Sequence, residues 1–415
     1  MEDKLLRHGG IIFCASAVSF FFAYIFQLYM ARALGPGDYG ILGSMLSLFY
    51  IFSVPSSAVT TTLTQIVSEQ KVKQDYGKIK SMLLLTVKKL VYLGFGIFML
   101  LILLTPFLKN ILNLPSRVPV IILGFSLIFM TILPSPRGVL QGLQEFRNLG
   151  FNMAIEKPAL LFFGAFFIYL GMGINGAILS YGIAAIVVLI LAFLPLKPVL
   201  EKKSEQSNVS VYRYASPVFI LVFSITILSS IDIFFVRRYF PAEVSGYFTA
   251  LKMLGQVIYF LAIALGGVLL SKVSGLSTLN RAHTFLLRKA LIYFGIFLTA
   301  ILSAYAVAPE TIIAVLFGKG YSSVSRYLVW YAFSVGLLSL AVIFMFYNTS
   351  AKRVAFRYPL VLFTILEIVL LFIFHETLGQ IITVQIINSF MLLLTVIIIN
   401  ISYDKGDYLK LFRWG

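Results

Sequence analysis

Long apolar runs alternate with short polar connections along this chain. Twelve runs are long enough to cross a bilayer core: 10–33, 41–66, 84–107, 118–136, 149–171, 175–196, 215–236, 246–270, 287–308, 326–347, 358–375 and 380–402. At 1.5 Å per residue, roughly 20 residues cover the hydrocarbon thickness. Helices are the expected form, because a lipid-exposed backbone must satisfy its own hydrogen bonds. The short alternating pattern of a membrane barrel is not present. Lys4 and Arg7 precede the first run as they would in a signal peptide. That run exceeds the usual apolar length and lacks a clear small-residue cleavage site, so it reads as a retained span. The pattern predicts an all-α polytopic membrane protein with 12 transmembrane helices.

Composition supports this reading. The chain is 60% hydrophobic and 12% charged, with a mean hydropathy of +0.96. Soluble domains carry about 25% charged residues. A net charge of +17 would suit nucleic acid, but its distribution gives another reason. With the N-terminus in the cytoplasm, 25 of the 33 Lys and Arg fall on the inner side. The outer side holds Arg32, Lys109, Arg117, Arg237, Arg238, Lys319 and Arg326, and Lys252 lies within a span. This asymmetry predicts a plasma-membrane protein with both termini cytoplasmic and membrane lipids, not nucleic acid, around it.

The longest polar connection, "KPVLEKKSEQSNVSVYRY" (197–214), leaves six spans on each side. The expected organisation is an N-terminal lobe (1–200), a cytoplasmic linker (201–212) and a C-terminal lobe with a short cytoplasmic tail (213–415). The halves also echo each other. "ARALGPGDYG" (31–40) and "VRRYFPAEVSG" (236–246) interrupt the apolar pattern alike. A shift of 205 maps Gln27 onto Asp232, Arg32 onto Arg237 and Pro36 onto Pro241; a shift of 210 maps Lys157 onto Glu367. The decapeptide reads as the outer turn between the first two helices of a duplicated six-helix unit. Six is even, so both units share one orientation, and transporters commonly bind substrate between such repeats.

Chemistry within the chain is sparse. Cys14 is the single cysteine, so no intramolecular disulfide forms, and its apolar run predicts a buried thiol. His8, His283 and His375 lack metal-ligand spacing, and no P-loop, zinc or G-x-S-x-G motif occurs. No catalytic residue, metal or cofactor is expected. A membrane glycosyltransferase is disfavoured, since no large outer loop carries an acidic or histidine cluster.

"YMARALGPGDYGILGSMLSLFYIFSVPSSAVTTTLTQIVSE", "RGVLQGLQEFRNLGFNMAIEKP" and "GMGINGAILSYG" occur in that order along the first half. Together they resemble the polysaccharide-transporter, or oligosaccharide flippase (Wzx-type), family of the multidrug/oligosaccharidyl-lipid/polysaccharide (MOP) exporter superfamily. The resemblance implies two pseudo-symmetric six-helix bundles around a central cavity that opens alternately to each side. It also implies a substrate, a polyprenyl-pyrophosphate oligosaccharide moved from the cytoplasmic to the outer leaflet, with H+ or Na+ as the candidate coupling ion. Drug exporters of the superfamily have the same number of spans, so a cationic-drug exporter coupled to an ion gradient is the alternative.

Ionisable residues inside spans are costly and mark candidate sites. Glu156 and Lys157 lie in span five, Asp232 in seven, Lys252 in eight and Glu367 in eleven. Lys157 and Glu367 sit about 15 Å along their helices, near mid-depth. They either line the cavity or form a structural charge pair. Glu156 and Lys157 stand about 100° apart on a helix, so they are not expected to face each other, and at least one needs another partner. Arg32 lies within reach of headgroups, and Arg137 in "PSPRG" reads as an inner-end residue that meets an arriving one. Asp232 lies four residues from the outer end of its span. "VPSSAVTTTLTQ" (54–65) offers a hydroxyl stripe plus Gln65, or else small residues for close helix packing. Lys157, Lys252, Arg137, Arg32 and Gln65 are therefore substrate-binding candidates; Glu156, Asp232 and Glu367 are coupling or charge-pair candidates.

Overall fold

In the computed structural model, which describes residues 2–203, 216–278, 284–351, 353 and 355–411, the chain forms two compact units, 1–223 and 224–415. The linker expected at 201–212 lies outside the described residues from position 204 onward. The first unit contains α1 (Glu2–Val72), α2 (Tyr76–Ile111), α3 (Val118–Ile132), α4 (Pro134–Gly142), α5 (Phe146–Tyr169), α6 (Gly173–Phe193) and α7 (Lys197–Leu200). Next come α8 (Ser216–Leu228), α9 (Asp232–Tyr239), α10 (Ala242–Thr278), α11 (Thr284–Val307), α12 (Pro309–Phe317), α13 (Leu328–Ser350), α14 (Arg357–Ile373) and α15 (Leu378–Leu411). No strand occurs among the described residues.

Ten helical segments among the described residues are long and apolar enough to span a membrane. One of them, Gly10–Ser56, has 47 residues and would be about 70 Å long if straight, more than twice a bilayer core. It is not straight. Gly35 has φ 72° and ψ 171°, a conformation that glycine adopts without the Cβ penalty, and Pro36 follows it. Beyond the break the Tyr39 hydroxyl reaches Gln27 Oε1 at 3.2 Å. Twelve residues of continuous helix would separate them by about 18 Å, so the chain reverses at Gly35 and α1 is two spans. The expected ten-residue turn thus contracts to one non-helical residue. α14, at 17 residues, is the short eleventh span and brings the total among the described residues to twelve.

The second unit repeats this scheme. α9 ends at Tyr239, Phe240 is extended (φ −117°, ψ 160°), and α10 starts just after Pro241. Pro36 and Pro241 both follow the break between first and second spans, as the 205-residue shift predicts. Expected spans 118–136 and 215–236 are also each broken. Pro134 opens α4 and carries that span on to Gly142, while residues 229–231 separate α8 from α9. Prolines cannot donate the helix hydrogen bond, which explains the first break.

The membrane supplies what the surface requires. Phe13 is 74% exposed, Leu103 76% and Phe372 65%, all on helices. Such apolar faces need lipid rather than water. Cys14, expected to be buried, is exposed on the same face region of α1. Helix association in lipid depends on close packing more than on hydrophobic burial. The second limb of α1 meets α4 in this way. Thr60 donates to the Pro134 carbonyl (3.3 Å), Ser68 to that of Gly142 (3.1 Å) and Lys71 Nζ to that of Leu143 (2.6 Å). The Thr64 hydroxyl lies 3.2 Å from the Gly138 carbonyl. A Cβ at Gly142 would stand 2.8 Å from the Thr64 carbonyl oxygen. The hydroxyl stripe of 54–65 therefore continues into a helix-packing ladder.

Candidate functional site

Two polar clusters are built inside the helical units, one in each, and they differ in access. The first forms where α4 meets α5. Arg137 is one turn into α4, behind Pro134 and Pro136. Its Nε donates to Asn152 Oδ1 (2.8 Å), and its Nη2 pairs with Glu156 Oε2 (2.8 Å). Asn152 and Glu156 are four apart on α5, so one helix face presents both. Asn152 also donates from Nδ2 to the Val188 carbonyl on α6 (2.6 Å), which fixes the arginine's support. Lys157 Nζ closes on the other Glu156 oxygen at 2.6 Å.

That contact corrects an expectation. Helical spacing separates Glu156 and Lys157, yet the long lysine chain curls back to its neighbour. The requirement for a further partner does hold, and Arg137 meets it. Arg137 also lies within the prolonged fourth span rather than at its end. Two cations thus share one carboxylate, leaving a formal net charge of +1. The side chains of Arg137, Glu156 and Lys157 are 19%, 15% and 24% exposed, so a ligand can reach them.

The second cluster is closed. Asp232 begins α9 directly after the break, fully buried, and its Oδ1 accepts the Ile233 N–H (2.8 Å) and the Lys252 ammonium. Oδ2 accepts from the Tyr331 hydroxyl (3.2 Å) and Gln385 Nε2 (2.8 Å). Beside it Glu367 Oε2 accepts from Asn388 Nδ2 (2.8 Å). Asp232 is therefore held inside the helix packing, directly after the break. The Lys252 ammonium is held by Asp232.

The matched residues Lys157 and Glu367 have dissimilar surroundings. Lys157 bonds to Glu156 in the first unit, whereas Glu367 is 2% exposed and bonded to an asparagine in the second. The match of Gln27 with Asp232 goes further. Gln27 Nε2 reaches the Tyr181 hydroxyl at 3.5 Å, and Asp232 is bonded to Gln385. Each thus ties the first span of its unit to the sixth. Arg32 and Gln65 are both exposed on α1. Asn152, Tyr331, Gln385 and Asn388 belong to the clusters without having been singled out from sequence. Polar side chains in apolar runs, four or three residues from another polar one, were the available signal.

Comparison with known proteins places the chain in a family. Residues 5–270 match the model of the family described as polysaccharide biosynthesis protein. The uncharacterized membrane protein MJ1375 of Methanocaldococcus jannaschii is 25% identical over 310 residues, covering 69% of this chain and 71% of that protein. Among solved structures, the inward-facing conformation of a multidrug resistance MATE family transporter of the MOP superfamily aligns with a TM-score of 0.75. That match has 13% identity and covers 92% of this chain and 95% of the other. A MOP superfamily transporter from Pyrococcus furiosus aligns with a TM-score of 0.62 at 12% identity, covering 94% and 93%. At such identities the likeness establishes the fold. With the family match over more than half its length, the chain belongs to the family described as polysaccharide biosynthesis protein, and its fold is the one seen in MOP superfamily transporters.

Proposed function

We propose that this protein moves a lipid-linked oligosaccharide, carried on a polyprenyl pyrophosphate, from the cytoplasmic to the outer leaflet of the plasma membrane by alternating access. The observation that carries this reading is the open cluster in which Arg137 and Lys157 share Glu156. Family membership supplies the glycan context. Without substrate, Glu156 pairs with both cations, which would be costly if left alone within a span, and offsets one of their two charges. A pyrophosphate offers several anionic oxygens and replaces that carboxylate with stronger charge-assisted bonds, the planar guanidinium taking two at once. A cationic drug meets a net positive cluster instead and is repelled. The inner-side excess of Lys and Arg supports cytoplasmic termini and entry of the anionic headgroup from that side.

The test is leaflet exchange in liposomes containing the purified protein. A fluorescent polyprenyl-pyrophosphate glycan is expected to become accessible on the opposite face faster than in empty vesicles. Export of cationic dyes down an imposed ion gradient, with no glycolipid movement, would favour the drug-exporter reading.

A further inference from the structure

Two pairs of cations stand on exposed helix surface, away from both polar clusters. "VKKLVYLG" (87–94) on α2 and "LRKALIYFG" (287–295) on α11 follow one pattern. A shift of 200 maps Lys88-Lys89 onto Arg288-Lys289, and Tyr92 matches Tyr293 after one insertion. All four basic residues are exposed, and so are the aromatic residues Tyr92, Phe285 and Tyr293 beside them. Lys88 Nζ lies 6.0 Å from the centre of the Tyr92 ring, and Lys289 Nζ 5.9 Å from that of Phe285. From Lys289 to its end at Val307, α11 rises about 27 Å, close to the thickness of a hydrocarbon core. The pair therefore lies at one edge of that core, on the side where the chain concentrates its Lys and Arg.

A cation at such an edge can extend its stem to water, so charge alone does not make a site. On α11 the surroundings add one. A groove of about 540 Å³ is lined by Thr284, Leu287, Arg288, Leu291 and Ile292. Thr284 and Arg288 are one turn apart and share a helix face, as do Leu287 and Leu291. The groove thus has a polar end, made by a guanidinium and a hydroxyl, and an apolar wall that continues toward the core. A phospholipid is divided in the same way. Its phosphate accepts charge-assisted hydrogen bonds, and its hydrocarbon chain needs apolar surface. A zwitterionic lipid brings its own cation to that phosphate, whereas an anionic lipid leaves it to Arg288 and Lys289.

We propose that the α11 groove binds one anionic phospholipid of the cytoplasmic leaflet, its phosphate on Arg288 and Thr284 and its chain along Leu287, Leu291 and Ile292. The site is separate from the Arg137, Glu156 and Lys157 cluster, and its occupancy is measured without any glycolipid.

The test is native mass spectrometry of the full chain released from micelles that contain equal amounts of phosphatidylglycerol and phosphatidylcholine. Wild type is expected to retain phosphatidylglycerol about tenfold over phosphatidylcholine. Arg288→Gln, at an exposed position, should cut that ratio about fivefold. Leu291→Trp keeps every charge but fills the groove, and should lower the ratio as well. Lys203→Gln removes one exposed charge elsewhere and should leave it unchanged. If Leu291→Trp fails to fold, the contrast between Arg288→Gln and Lys203→Gln decides. Equal losses in those two would reduce the effect to bulk attraction and overturn the site. So would wild-type retention by a folded Leu291→Trp, an absence of preference for the anionic lipid, or displacement of the lipid by millimolar inorganic phosphate, which has no chain to seat.

Discussion

Arg137 on α4 and Glu156 on α5 are joined at 2.8 Å, and Lys157 closes on the other oxygen of the same carboxylate. Under the proposed function, an anionic headgroup takes the place of the Glu156 carboxylate between these two cations. Glu156→Gln should bind a polyprenyl pyrophosphate on the order of tenfold more tightly, because the ligand no longer displaces a carboxylate. Its leaflet-exchange rate should fall, since release now leaves two bare cations. Fluorescence anisotropy in detergent reads the first effect and the liposome assay the second. Unchanged affinity would mean that Glu156 does not compete for these cations.

Asn152 supports the arginine from beneath, bonded at once to Arg137 and to the Val188 carbonyl. Asn152→Ala leaves the buried side of the guanidinium without its acceptor, at a cost of about 1–3 kcal/mol. Thermal unfolding followed by size-exclusion chromatography should show a midpoint lower by several degrees. A wild-type midpoint would remove Asn152 from the support of the site.

The ionisable members of both clusters were legible in the sequence, because a charge in an apolar run is conspicuous whatever it touches. Their partners were not. Tyr331 and Gln385 reach Asp232 across 99 and 153 residues, and nothing local marks that meeting. The reversal at Gly35 could be read from Gly-Pro between two apolar runs, but not its tightness. Helical projection separated Glu156 from Lys157 because it fixes Cβ directions and ignores the length of a lysine. The breaks before α4 and α9 differ in legibility. Pro134 announces the first, while Ser229 and Ser230 give only a weak sign of the second, although it decides the burial of Asp232.

Close approach of α1 and α4 makes Gly142 intolerant. A methyl group there meets the Thr64 carbonyl at 2.8 Å, whereas one at Gly96 meets nothing within 4 Å. Gly142→Ala should cost about 1–3 kcal/mol through overpacking. Gly96→Ala should be neutral or gain up to about 1 kcal/mol of helix propensity. Paired unfolding midpoints of the two variants decide the point. Equal midpoints would contradict the packing ladder.

Orientation can be tested on a Cys14→Ser background. Ser207→Cys should react with an impermeant maleimide only after the cells are opened, and Gly37→Cys, beside the Gly35 break, in intact cells. The reverse pattern would invert the topology and with it the proposed direction of entry.

The most direct measurement is the leaflet-exchange rate of the polyprenyl-pyrophosphate glycan for Lys157→Ala and Lys157→Arg, each at matched monodisperse yield. Loss of a charge-assisted contact to the headgroup is worth about 2–5 kcal/mol. Lys157→Ala should therefore slow exchange by at least about 30-fold, while Lys157→Arg, which keeps the charge, retains a measurable rate. Wild-type exchange by Lys157→Ala would contradict the assignment of this cluster to the headgroup.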